Sequence, residues 1–231
     1  MRTLFFVELF SGTGSFGRAA RREARRFGLQ FRLLSLDIHP RYHPTHCVDI
    51  LQWDYKDALR DFLPPEEKRK DHIVWVHASP PCGAYSYTRA YRGAREFSQA
   101  DAIVKRALRI IRHARPDFWT LENPKGYLRK RPFMRRLHMF EHLTSYCHFG
   151  SNFRKDTNIW TNVPVALPVC RAGTYCAHKS QHGAHARQAQ VFSRLPRSQV
   201  DVTQSPLLRT DELYAIPPRL CTTLLRVALR A

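Results

Sequence analysis

Thr3-Leu4-Phe5-Phe6-Val7-Glu8-Leu9-Phe10-Ser11-Gly12-Thr13-Gly14-Ser15 runs from an apolar stretch through a glycine-rich turn into a new element. Residues 3–9 read as a buried strand, and a helix is expected over residues 16–27. A strand that enters G-x-G lets the backbone approach a ligand closely, and the next helix offers its N-terminus to it. A nucleotide site at such a turn expects an acidic residue after the second strand, where it can bind ribose hydroxyls. Asp37 follows a strand read over residues 31–36, and Asp49 lies in Val48-Asp49-Ile50. Gly17 follows Gly14 by three positions, so the third glycine of a dinucleotide fingerprint is displaced. For G-x-G alone a plain strand-to-helix turn is an equal reading; Asp37 and Asp49 move the balance towards a nucleoside pocket.

Beyond that turn, short apolar runs alternate with amphipathic stretches, the pattern of a parallel sheet with crossover helices. Strands are expected over 72–78 and 117–121, and a helix over 99–114 with Ile103, Ala107, Ile110 and Ile111 on one face. Residues 143–148 and 157–161 are expected to pair antiparallel at the sheet edge. From about Pro164 the periodicity fades, until Ile216-Pro217-Pro218 starts an amphipathic stretch over 219–229. The expected fold class is α/β, a mostly parallel twisted sheet of Rossmann-like type with helices on both faces. Residues 1–163 form the main domain; residues 164–231 add a small Cys/His-containing appendage and a closing helix packed on the same domain.

A hydrophobic fraction of 43% in 231 residues permits one sizeable core and argues against a disordered chain. Lys and Arg total 38 against 19 Asp and Glu, a formal charge of +19. A chain this basic usually meets a polyanion, most commonly nucleic acid, with a merely solubilising surface as the bland alternative. No apolar run approaches the roughly 18–20 residues of a bilayer span, and MRTLFFVELF lacks a signal-cleavage pattern. A soluble intracellular protein, cytoplasmic or nuclear, is therefore expected. Its six cysteines should be thiols with individual roles rather than a disulfide framework.

Two motifs carry reactive side chains. Ser79-Pro80-Pro81-Cys82-Gly83 follows a buried strand, so two prolines present Cys82 in a stiff loop at the end that faces the ligand crevice. An isolated Pro-Cys would more often be a packed cysteine. Thr120-Leu121-Glu122-Asn123-Pro124 stands at another strand end in the same layer, where Glu122 is placed either as a general acid towards a ring nitrogen or as an N-cap or loop acid. A thiol and a carboxylate at neighbouring strand ends, beside a nucleoside pocket, are more specific than either alone.

Taken together, residues 1–161 resemble the cytosine-C5 DNA methyltransferases, with the motifs in the family's order and a finer pattern like that of compact viral and phage members. The resemblance implies a class I fold dependent on S-adenosylmethionine, in which Phe10 packs on adenine, Asp37 holds the ribose and Asp49 meets the adenine amino group. Ser11, Gly12, Gly14, Ile38, Ile50 and Pro81 complete the implied cofactor set. Cys82 matches the nucleophile that adds to cytosine C6, Glu122 the residue that engages N3, and Arg154 the arginine that helps hold the base. The sequence departs from the family in having Gly83 where glutamine is frequent and Pro124 where valine is. About 70 residues follow Thr161, so little recognition domain is expected, and phosphate attraction should supply most of the affinity. The implied partner is DNA, with a partner subunit open. RNA, tRNA included, is the alternative polymer, and an inactive nucleic-acid-binding protein is the alternative class.

Cys170 and Cys176, followed by His178, His182 and His185, offer the donor types of a tetrahedral zinc site. Cys170, Cys176, His182 and His185 are the candidate ligands, and free thiols with surface histidines are an equal reading. Two basic groups remain: Arg18, Arg21, Arg22, Arg25 and Arg26 on the first helix, and Lys125, Arg129, Lys130, Arg131, Arg135 and Arg136 after Glu122. The second group begins at the reactive edge and is the better phosphate-binding candidate.

Overall fold

The structure, a computed structural model, describes residues 1–87, 96–171, 176–177, 185, 187–188 and 214–230. Its centre is a seven-stranded sheet made of β1 (Thr3–Leu9), β2 (Gln30–Asp37), β3 (His46–Cys47), β4 (Ile73–Ala78), β5 (Phe118–Pro124), β6 (Glu141–Ser145) and β8 (Asp156–Thr161). The strand order is β3-β2-β1-β4-β5-β8-β6. The first five strands run parallel, and β8 lies antiparallel to both β5 and β6. The order reverses at β1, so β1 and β4 leave a crevice at their carboxyl ends, where open α/β sheets bind ligands. The α/β class, the mostly parallel sheet and the helices on both faces are as the sequence implies.

Alternation along β1 shows how the layers form. Leu4 and Phe6 pack with Phe16, Ala19, Ala20 and Ala24 of α1 (Ser15–Arg26) and with Leu220, Leu224 and Leu225 of α4 (Pro218–Arg230). Phe5, Val7 and Leu9 point the other way, onto Leu59 of α2 (Tyr55–Phe62) and Ala107 and Ile110 of α3 (Ser98–Ala114). Side chains on a strand alternate between faces, so one apolar run serves both cores. Buried Glu23 of α1 receives Arg226 Nε of α4 at 2.8 Å, which fastens the closing helix.

Several boundaries differ from the sequence reading. β5 runs on to Pro124 because Glu122, Asn123 and Pro124 pair with Ile159, Asn158 and Thr157 of β8. Glu122 is therefore a strand residue rather than a loop acid. β6 ends at Ser145, and Tyr146–Phe149 coils as a 3-10 turn closed by Gly150 at φ 95°. β3 and α2 lack a strong periodic pattern, since one has two residues and the other buries only Tyr55 and Leu59. The two-residue strands β7 (Phe153–Arg154) and β9 (Arg187–Gln188) pair in parallel outside the main sheet.

Candidate active site

A cavity of about 520 Å³ opens at the carboxyl ends of β1, β2, β4 and β5. Its size is in the range of small-molecule sites. One end is the glycine-rich turn. Phe10, Gly12 and Gly14 all adopt positive φ, at 60°, 46° and 66°. That conformation is easy for glycine and costs a phenylalanine roughly 1–3 kcal/mol. Neighbouring bonds hold the turn: Ser11 N donates to Leu36 O at 2.9 Å, and Ser79 Oγ donates to Phe10 O at 3.1 Å. Asp37 fastens it to β2, accepting from Gly12 N at 2.8 Å and His39 N at 2.9 Å.

Phe10, Ser11, Gly12, Asp37, Ile38, Asp49, Ile50 and Pro81 all line this cavity. Gly14, the N-cap of α1, is not among the lining residues. Asp49 organises its own loop by accepting from Leu51 N at 2.9 Å. Ile38, 57% exposed, adds apolar surface to the cavity wall.

Two buried polar groups on the floor were not singled out as site residues from sequence. Glu8 Oε1 accepts from Gly17 N at 3.1 Å, while Glu8 Oε2 has no partner among the described residues. Burial pushes this carboxyl up to about 7 despite the bond from Gly17. His77, its register partner on β4, hydrogen-bonds Thr120 Oγ1 through Nδ1 at 2.7 Å and leaves Nε2 unpartnered among the described residues. Burial lowers His77 to about 3, so the ring is neutral. Their signal was an acidic and an imidazole side chain inside otherwise apolar strands.

Cys82 and Glu122 line the other end. Ala78 pairs with Leu121, so the loop bearing Cys82 leaves β4 beside the part of β5 bearing Glu122. The two segments are stitched together. Asn123 Nδ2 donates to Pro80 O at 2.9 Å, Tyr127 N to Tyr85 O at 2.8 Å, and Tyr85 N to Cys82 O at 3.0 Å. A Cβ on Gly126 would stand 2.3 Å from Tyr85 O, so only glycine permits this approach. Burial raises the Cys82 thiol above its ordinary value, Lys155 opposes the rise and Glu122 adds to it. Glu122 Oε1 accepts from Tyr146 Oη at 2.8 Å and Thr157 Oγ1 at 3.1 Å. Both of these donors fall on Oε1, the oxygen on the β8 and Tyr146 side of the carboxylate.

Arg154 is not among the cavity's lining residues; its guanidinium grips Asp156 through Nε at 2.9 Å and Nη2 at 2.7 Å. Lys155 lines the cavity instead, as do Tyr214, Ala215 and Ile216 at the start of the C-terminal segment. In the second basic group, Arg129 pairs with Glu141 at 2.7 Å and Arg131 with buried Asp101 at 2.8 Å, so both brace the fold. Arg135 and Arg136 stay exposed. The α1 arginines line that helix's solvent side, with Arg22 bonded to Thr222 at 3.0 Å.

Of the expected metal ligands, Cys170, Cys176 and His185 converge, while His182 and His178 lie outside the described residues. The fourth member of the group is Cys147, which no local spacing in the sequence connects to the others.

The chain matches no family model and no curated protein. Among solved structures it is similar to a prophage-encoded E. coli protein described as a candidate DNA modification methyltransferase, at 15% identity and a TM-score of 0.46. The likeness covers 69% of this chain and 46% of that one, so this chain spans about half of that protein's length.

Proposed function

We propose that this chain transfers a methyl group from S-adenosylmethionine to C5 of cytosine in DNA through a covalent adduct between Cys82 and C6. The observation that carries the reading is the convergence of Cys82 and Glu122, from adjacent strand ends, on one cavity whose far end is the glycine turn.

The residues present suit the cofactor. Phe10, Ile38 and Ile50 supply apolar surface for a purine, Asp37 a carboxylate for ribose hydroxyls and Asp49 one for the adenine amino group. The buried Glu8 Oε2, unpartnered among the described residues, suits the ammonium of an amino-acid end. When bound there, S-adenosylmethionine supplies an electrophilic methyl.

The remaining steps belong to the protein. Cys82, as thiolate, adds to C6, forming the Sγ–C6 bond and sending the C5=C6 electron pair towards C5 and the ring. Glu122, with a proton on Oε2, hydrogen-bonds N3 and stabilises that charge, while Tyr146 and Thr157 hold Oε1. Lys155 favours the thiolate, offsetting part of the burial cost. After methylation a base takes the C5 proton, the pair re-forms C5=C6 and Sγ–C6 breaks to restore the thiolate. C5 and C6 are stacked in a duplex, so the cytosine must be flipped out or single-stranded.

Incubation with tritiated S-adenosylmethionine and duplex DNA, single-stranded DNA or tRNA tests the proposal. Label is expected in DNA cytosine and is expected to vanish in Cys82→Ser. Label confined to tRNA moves the substrate to RNA, and no label in any polymer leaves a binding protein.

A further inference from the structure

The Cys/His group stands apart from the cavity and has its own chemistry. The ligand atoms of Cys147, Cys170, Cys176 and His185 lie within 4.8 Å of one another, and the three cysteines are buried. Cys170 Sγ is 3.8 Å from His185 Nε2, and Cys176 Sγ is 3.6 Å from the same atom. A tetrahedral zinc with Zn–S near 2.3 Å and Zn–N near 2.05 Å requires S···N separations of about 3.6 Å. The three buried cysteines form a cluster of their own, separate from the three larger apolar cores. All six cysteines of the chain are unbridged.

The geometry points to a structural zinc centre held by Cys147, Cys170, Cys176 and His185. Four protein donors complete a tetrahedron and leave no open position for a substrate, which separates a structural from a catalytic zinc. The thiols bind as thiolates, so loading releases their protons to solvent.

The centre would staple the start of the C-terminal segment to the edge of the sheet. Cys147 follows Tyr146, whose hydroxyl reaches Glu122. Cys170 N donates to Ser145 Oγ at 3.0 Å, and that hydroxyl donates to Asp156 Oδ1 at 2.7 Å, the carboxylate that grips Arg154. Just beyond His185, β9 pairs with β7, which contains Arg154. One ion would thus order a segment poor in apolar residues and brace the strand edge beside Glu122.

Elemental analysis of the full chain, expressed without a histidine tag in zinc-replete medium, is the test. One zinc per chain is expected. Cys147→Ser and His185→Ala should each lose most of it, while His182→Ala and exposed Cys47→Ser should keep it. Because a ligand variant can fail to fold, unmutated protein is also reloaded with cobalt(II), which should give the intense visible absorption of a tetrahedral thiolate site and lose it on zinc addition. A chain without stoichiometric zinc and without that cobalt spectrum overturns the centre. Full zinc retention in Cys147→Ser overturns the ligand set. Neither readout requires methyl transfer, so failure of the proposed activity leaves this result distinct.

Discussion

Asn123 Nδ2 donates to the carbonyl of Pro80 at 2.9 Å, tying the strand that carries Glu122 to the loop that carries Cys82. Asn123 is fully buried, so Asn123→Ala strands the Pro80 acceptor without a partner. A stability loss of about 1–3 kcal/mol is expected. If the bond also sets the spacing of thiol and acid, kcat should fall more than KM. Denaturant melts and steady-state kinetics check both parts, and an unchanged kcat would remove the positioning role.

Tyr146→Phe keeps the buried ring but removes one of the two donors to Glu122 Oε1. Methyl transfer should fall roughly 10- to 100-fold, as for the loss of a hydrogen bond to a charged or reacting group. If the cofactor binds at the glycine turn as proposed, S-adenosylmethionine affinity should stay unchanged, because Tyr146 does not line the cavity. Equilibrium binding beside single-turnover rates separates the two; equal weakening of both would refute the assignment.

Glu8 and His77 set opposing pH dependences. The folded state raises Glu8 from 4.5 to about 7, so its contribution is full below pH 4.5 and is lost as pH rises towards 7, by about 3 kcal/mol. His77, lowered from 6.5 to about 3, takes stability away as pH falls from 6.5 towards 3. Between about pH 4.5 and 6.5 the two slopes oppose each other. Glu8→Gln should therefore flatten the decline of stability above pH 6.5, measured by denaturant unfolding at pH 6, 7 and 8. An undiminished slope in the variant would show that Glu8 is not its source.

Gly126 and Gly83 should respond oppositely to alanine. At Gly126 the new Cβ meets Tyr85 O at 2.3 Å, so backbone must move, at a cost of about 1–3 kcal/mol. At Gly83 nothing stands within 4 Å of the new atom, and stability should hold within about 0.5 kcal/mol. Thermal melts of the two variants decide this, and equal melting temperatures would contradict the loop contact.

Exposed Arg135 and Arg136, for which no ion pair is seen among the described residues, are candidate phosphate contacts in the second basic group. Replacing both with alanine should reduce the slope of log K against log salt by about 2 for duplex DNA, since each phosphate contact contributes about 0.9. Arg129→Ala should instead cost mainly its bond with Glu141. A binding titration over several salt concentrations distinguishes these, and an unchanged slope would place the DNA elsewhere.

The linear pattern of residues was enough for β1, β2, β4, β5, α1, α3 and α4, because each buries a continuous run or a 3.6-residue stripe that is written locally. The same local logic brought Cys82, Glu122 and Asp37 to strand ends, and strand ends on one side of a parallel sheet share a crevice. β3 and α2 escaped because two residues or two turns hold too little pattern.

Only the folded chain decided which side chains meet. Arg154 pairs with Asp156 two residues on, Lys155 lines the cavity, and Arg129 and Arg131 serve internal carboxylates. Cys147 joins Cys170, Cys176 and His185 across the β6–β8 edge, a meeting that no spacing announces. The physical reason is common to all of these. Periodicity records what one element buries, whereas ion pairing and ligation depend on distances between elements, which exist only once the sheet has closed its register.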